Sequence, residues 1–288
     1  MSDTPNSEPP SSLQRFRAEA LGRGIPSEDV DRWLELGRPC AVLSRDEDGP
    51  VVGRLGGPVM LPPGVPVPAD SFTSMGRSYE MPYHLIADLD LAALPGDATD
   101  LPMPPGGRLL LFAIPALDGA AGAAVYVPEG TPVEERPMEF DYDPGDHLAS
   151  LDFENELRGE LRLKPCVSLP NHEIADDEVT VDTAEHPRAE ELREVWEEIW
   201  GEERRVSKWS QLQIGGYAWD GEGWGDPVVD CVRESGEEET RLRDWALLAE
   251  WRPAMTGLEM ATMYWAIRRQ DLAARRFDRT AVTMYANP

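Results

Sequence analysis

The sequence predicts an α+β fold, with mixed but mostly antiparallel sheets in two similar halves behind an N-terminal helical arm. Three observations carry that expectation. A glycine pair in a short apolar segment occurs twice, as Leu55-Gly56-Gly57 and as Ile214-Gly215-Gly216. Each pair is followed by two apolar runs in the same order: Tyr83 to Leu91 and Arg108 to Ile114 after the first, Trp245 to Trp251 and Thr262 to Ile267 after the second. The copies lie about 160 residues apart, too long a period for a solenoid, so the recurrence reads as a duplicated half-domain. Outside these runs, helical spacing is confined to the N-terminal region and to one long segment near residue 195.

Residues 1–12 are rich in proline, serine and asparagine, bury nothing and are expected to be disordered. The arm follows at 13–38. Leu13, Phe16, Ala20 and Leu21 fall near one face of a short helix, which Gly22 to Pro26 ends. Ser27 is the expected N-cap of a second helix carrying Val30, Trp33 and Leu34. Residues 39–288 are read as one domain, with halves at about 39–150 and 151–288.

Cys40 to Leu43 is a short strand. The segment from Gly53 to Gly64 is expected to be a rigid extended loop, because its prolines remove donors and its glycines open backbone angles closed to other residues. It lacks the Gly-Lys-Ser/Thr ending and the following helix of a phosphate-cradling loop, so a structural crossover is the simpler reading. Leu85 to Leu91 alternates, with Leu85, Ala87 and Leu89 on a buried face and Ile86, Asp88 and Asp90 on a wet one. Arg108 to Ile114 is apolar enough to be covered on both sides. Ala123 to Val127 is its hairpin partner after an Asp118-Gly119 turn. Glu134 to Asp146 is turn-rich and joins the halves. Within Pro187 to Arg205, the stripe Leu192, Val195, Trp196, Ile199 and Trp200 marks a helix packed on the sheet.

Composition limits function. There are 54 acids against 27 bases, a formal net charge of −27, which repels phosphate backbones and anionic lipid heads. Nucleic acid and membrane are therefore not expected partners. Three cysteines without a paired spacing, and no basic-then-apolar start, point to a reduced, cytoplasmic setting. No cofactor and no metal site are expected: His84, His147, His172 and His186 lack metal-like spacing, and the acids and glycines of Asp220 to Asp226 lack the closing glutamate of a calcium loop and read as a hairpin turn.

With both copies in view, the chain resembles the YwqG-like family, bacterial cytosolic domains without an assigned function. The resemblance rests on Gly56-Gly57-Pro58 with Leu61-Pro62-Pro63-Gly64, on Leu85 to Leu91, on Gly106 to Phe112, on Ile214-Gly215-Gly216-Tyr217, and on Asp271 to Phe277. It covers about residues 40–288, and the order of the motifs carries it more than any one of them. It implies an α+β fold with an internal pseudo-repeat. The chain departs from the family pattern at Asp88 and Glu250, where glutamine is usual, at Val67, where tryptophan is usual, and at Thr256 to Glu259, an eroded Trp-Gly-Asp-x-Gly run.

Two functional expectations result. The first is a binding module whose acidic surface suits a basic protein partner, with Gly56, Gly57, Gly215 and Gly216 as ligand or partner contacts. The second is an enzyme or metal site in which Asp88 and Glu250, at matching places in the halves, meet across a pseudo-twofold axis as paired carboxylates. The same symmetry is expected to lay Phe112 over Trp265.

Overall fold

The computed structural model describes residues 11–74, 77–116, 119–140, 148–171, 185–206, 210–219, 225–236 and 242–286. The helices are α1 (Ser11–Gly22), α2 (Ser27–Leu34), α3 (Phe153–Glu156), α4 (Ala189–Val206), α5 (Pro227–Glu234) and α6 (Arg269–Ala273). The strands are β1 (Arg38–Ser44), β2 (Val51–Leu55), β3 (Val59–Leu61), β4 (Ala69–Ser74), β5 (Arg77–Pro82), β6 (His84–Asp90) and β7 (Arg108–Ala116). They continue as β8 (Gly119–Val127), β9 (Glu134–Arg136), β10 (Gly159–Ser168), β11 (Gln211–Ile214), β12 (Trp245–Arg252), β13 (Ala261–Arg268) and β14 (Ala281–Ala286). His147, His172 and the Asp118 and Asp220 turn positions lie outside the described residues.

Ten strands form one sheet in the order β14-β13-β12-β11-β1-β10-β2-β6-β7-β8, and every pairing among the described residues is antiparallel. The order is symmetric about its centre. From β10 the sheet runs through β2, β6, β7 and β8; from β1 it runs through β11, β12, β13 and β14. The two central strands are exchanged: β1, early in the chain, pairs with β11, while β10 pairs with β2. The sheet curls until its ends meet, with β8 against β14 and the Trp265 indole N–H donating to the Phe112 carbonyl at 3.2 Å.

Alternation fills both faces. Ala41, Leu43, Leu111, Leu161, Ile214, Trp251 and Trp265 belong to one inner core. The outer face is covered in three places. Over the centre lie α1, α2 and α4, where Phe16, Trp33, Trp196 and Trp200 pack with Cys40 and Cys166. Thus the tryptophan stripe of α4 is core, and the residues expected as an arm pack on α4. Over β12 and β13 lies α5, with Val228 and Cys231 against Leu247, Tyr264 and Ala266. Over β6 and β7 lie Val59 and Leu61 of the small β3–β9 sheet, against Leu85, Leu110 and Phe112.

Several expectations need correction. The glycine-rich segment is not all loop: Gly53 to Leu55 ends β2 inside the large sheet, and Val59–Leu61 is β3. Ser27 is the first helical residue of α2, and no side chain caps that helix start. Ser11 and Ser12, expected in the tail, begin α1. Glu134–Arg136, expected in a turn-rich connection, is β9. Asp226, expected in a hairpin turn, instead caps α5, accepting from the Val228 amide at 2.9 Å. The expected wet face of β6 is buried as far as Asp88, since Ile86 and Asp88 are as buried as Leu85 and Ala87, and only the end residue Asp90 is exposed. Phe112 does not match Trp265. Phe112 lies opposite Leu85 and Trp265 opposite Ala249, and because both ladders shift register at Ile86 and at Leu248, Trp265 corresponds to Leu111.

Candidate functional site

The two glycine pairs end equivalent strands and form turns of the same construction. Arg54 lies opposite Asp88 in the β2–β6 ladder, as Gln213 lies opposite Glu250 in the β11–β12 ladder. Beyond the strand ends, all four glycines adopt positive φ: +53° and +88° at Gly56 and Gly57, +70° and +74° at Gly215 and Gly216. A side chain is strained in that region, so glycine is what lets the strand reverse here. The first glycine amide donates to the bulged residue of the neighbouring strand, Gly56 to Ile86 O at 2.9 Å and Gly215 to Leu248 O at 3.4 Å. The side chain before the turn then holds its carbonyls. Arg54 donates to Gly56 O and, at 2.7 Å, to Pro58 O. Gln213 Nε2 donates to Gly215 O at 3.0 Å and to Tyr217 O at 2.8 Å.

Asp88 and Glu250 support these turns and do not meet. Each is 1 % exposed. Asp88 accepts from Arg54 Nη2 at 2.9 Å and from Arg108 Nε at 2.8 Å, with a second bond from Arg108. Glu250 accepts from the Trp219 amide at 2.8 Å. Five strand steps separate β6 from β12 whichever way the sheet order is followed round, on the order of 24 Å along the sheet at normal strand spacing. The expected paired-carboxylate centre is therefore absent from this geometry, and the reason is topological: the symmetry lies between β1 and β10, which holds β6 and β12 apart. Among the described residues no group of three or more His, Cys, Asp or Glu is placed to hold a metal.

What differs is the covering of the two turns. At the second, the loop after β6 folds over it. Asp100 donates its amide to Pro39 O at 3.1 Å and accepts from the Gly216 amide at 3.0 Å, while the Tyr217 amide donates to Ser168 Oγ at 2.9 Å. A pocket of about 120 Å³ remains, lined in part by Gly216, Tyr217, Ala218, Ala246 and Leu247. The matching residues of the first turn, Gly57, Pro58, Val59, His84 and Leu85, line a cleft of about 1070 Å³. Gly57 is exposed there, and its amide has no partner among the described residues.

The cleft is walled by β3 and β9 on one side and by residues 148–160 on the other. Its apolar surface comes from Pro58, Met138, Phe140, Leu148, Leu151 and Phe153, and its rim carries Glu135, Asp152, Glu154 and Glu160 beside Arg54, Arg136 and Arg158. The three arginines are already engaged: Arg54 with Asp88, Arg136 with Glu134, and Arg158 with Glu154 at 3.1 Å. His84 lies in the cleft wall, its ring stacked between Phe140 at 3.8 Å and Phe153 at 3.7 Å. Burial pushes its pKa down to about 3, so at neutral pH it is an uncharged aromatic surface.

Sequence reasoning singled out the glycine pairs, read the first as an extended crossover loop, and missed the cleft. His84, Phe140 and Phe153 are far apart in sequence, and no spacing rule joins them. The fold and these turns define an α+β protein of one curled antiparallel sheet. The chain belongs to a family of domains of unknown function, DUF1963, whose model matches residues 53–285. Comparison with curated proteins gives no match. Among the described residues no helix is long and apolar enough to cross a membrane.

Proposed function

We propose that this protein is a cytoplasmic binding module, a YwqG-like domain of two similar halves, whose first half takes an extended segment of a basic protein partner in the cleft beside Gly57. The observation that carries this reading is the cleft itself: about 1070 Å³ of space against an apolar floor, at a turn whose counterpart is closed by Asp100. A site of that size with an apolar floor and few polar groups is the usual form of a recognition site. The Gly57 amide, without a partner among the described residues, offers a main-chain contact of the kind that fixes an extended segment, and the floor offers pockets for its apolar side chains. Among the described residues the rim carries four carboxylates against three guanidiniums, and on a chain of net charge −27 that excess favours a cationic segment and attracts it at long range.

The test is selection from an unbiased peptide library on the immobilised protein. Enriched peptides should alternate basic with apolar or aromatic residues, and their affinity should fall at least about tenfold in the rim reversal Glu135→Arg/Glu154→Arg, the size expected for lost charge complementarity. Peptides of no net positive charge, or affinity indifferent to that reversal, would overturn the proposal.

A further inference from the structure

The smaller pocket by the second turn carries a different chemistry. Among the described residues that line it are Arg38, Arg243 and Arg269, with Asp226 the one acid, in a chain where acids outnumber bases by two to one. The neighbouring charges are spoken for. Asp226 caps α5, and the Asp100 carboxylate sits on the Gly216 amide, 3.9 Å from Arg38 and 3.5 Å from Arg269. One carboxylate shared at those distances leaves both guanidiniums with donors to spare, since each has five. Arg38 is held from behind by the Tyr217 ring, 4.1 Å from its guanidinium carbon to the centroid. The exposed Arg243 has no hydrogen-bond or ion-pair partner among the described residues. Counting Arg38, Arg243 and Arg269 against Asp100 and Asp226, the described residues at the pocket carry a net charge of +1 on a strongly acidic molecule.

The geometry points to a binding site for a phosphate-class oxyanion, seated among Arg38, Arg243 and Arg269 beside Gly216. Arginine suits this ligand because its planar fork donates two parallel bonds to a tetrahedral oxyanion. A volume of about 120 Å³ accommodates a phosphate group and excludes a nucleotide. Asp100 already shows that this turn stabilises an oxyanion at its amide. The inference is independent of the cleft, which has its own residues on another part of the sheet.

The experiment is titration of the full chain by calorimetry and amide NMR at constant ionic strength, with inorganic phosphate, O-phosphoserine and acetate in separate arms. Phosphate is expected to bind with a dissociation constant of about 1 mM or tighter, shifting the Ala218 and Arg243 amides and leaving Gly57 unmoved. If O-phosphoserine binds more tightly than phosphate the source is a phosphorylated group; if it binds more weakly, the free ion. Arg243→Ala, at an exposed position, should weaken binding about tenfold while Arg243→Lys retains part of it, and Arg158→Ala in the cleft should change nothing. No response at about 10 mM phosphate, equal binding of acetate, or unchanged affinity in Arg243→Ala would each overturn the inference.

Discussion

At Gly216 the turn amide is bonded to Asp100 and the remaining space is about 120 Å³; at Gly57 the same amide is open to a cleft of about 1070 Å³. The backbone devices are shared down to the carbonyls that Arg54 and Gln213 hold, while the covering segments have nothing in common. Over the second turn lie the Asp100 loop and the start of α5, and beside the first lie β3, β9 and the α3 segment. The lesson is that strand register and glycine turns set the scaffold, whereas what the scaffold can bind is decided by the connecting segments that pack over each turn.

The largest effect should come from cutting the chain between the halves. A fragment of residues 1–150 lacks β10, the strand that β1 and β2 both pair with, so its amide NMR spectrum should collapse to random-coil dispersion. A well-dispersed spectrum would show that the exchange of β1 and β10 is not needed to fold either half.

Next is the contrast between the two buried carboxylates. Asp88→Ala strips Arg54 and Arg108 of their shared partner and should cost about 3–5 kcal/mol in urea denaturation. Glu250→Ala removes a buried carboxylate that accepts from the Trp219 amide and should cost at least about 1–3 kcal/mol. A cost below about 1 kcal/mol at Asp88 would mean that its pairing with Arg54 and Arg108 adds nothing to the support of the first turn.

A smaller effect separates the halves by pH. By ladder register His84 stands beside the first turn where Ala246 stands beside the second, and its folded pKa of about 3 lies below the ordinary histidine value. The unfolded chain takes up this proton as pH falls below about 6.5 and the folded chain does not, so stability present at neutral pH is lost as pH drops toward 3. The loss from this one group approaches 1.4 kcal/mol per pH unit, or about 2 kcal/mol at pH 5. His84→Phe, which keeps the stack, should be destabilised less than wild type between pH 7 and 5 by that amount; parallel curves would contradict the assignment.

Much of the scaffold was legible. The glycine pairs stand out as a recurrence, and α1, α2 and α4 announce themselves by apolar spacing. Strand β10 went unread although Leu161 and Leu163 alternate with charged residues; Pro165 is a signal against a central strand. The structure resolves that conflict: β2 pairs no further than Arg162, so Pro165 stands where β10 has a single partner. Helix α5 was missed despite a readable signal, the Asp226 cap before Pro227. The burial of Asp88 was not legible, since the arginines that cover it come from strands β2 and β7, and only the register brings them together.

The decisive measurement is a titration of the full chain, followed by amide NMR, with an acetylated hexapeptide alternating arginine with leucine and phenylalanine. If the open turn is the recognition site, shifts should appear at Gly57, His84 and Phe153, with Gly216 and Tyr217 silent and the effect weakening as salt screens the rim. Shifts centred on Gly216, or none at saturating peptide, would contradict the assignment of binding to the first half.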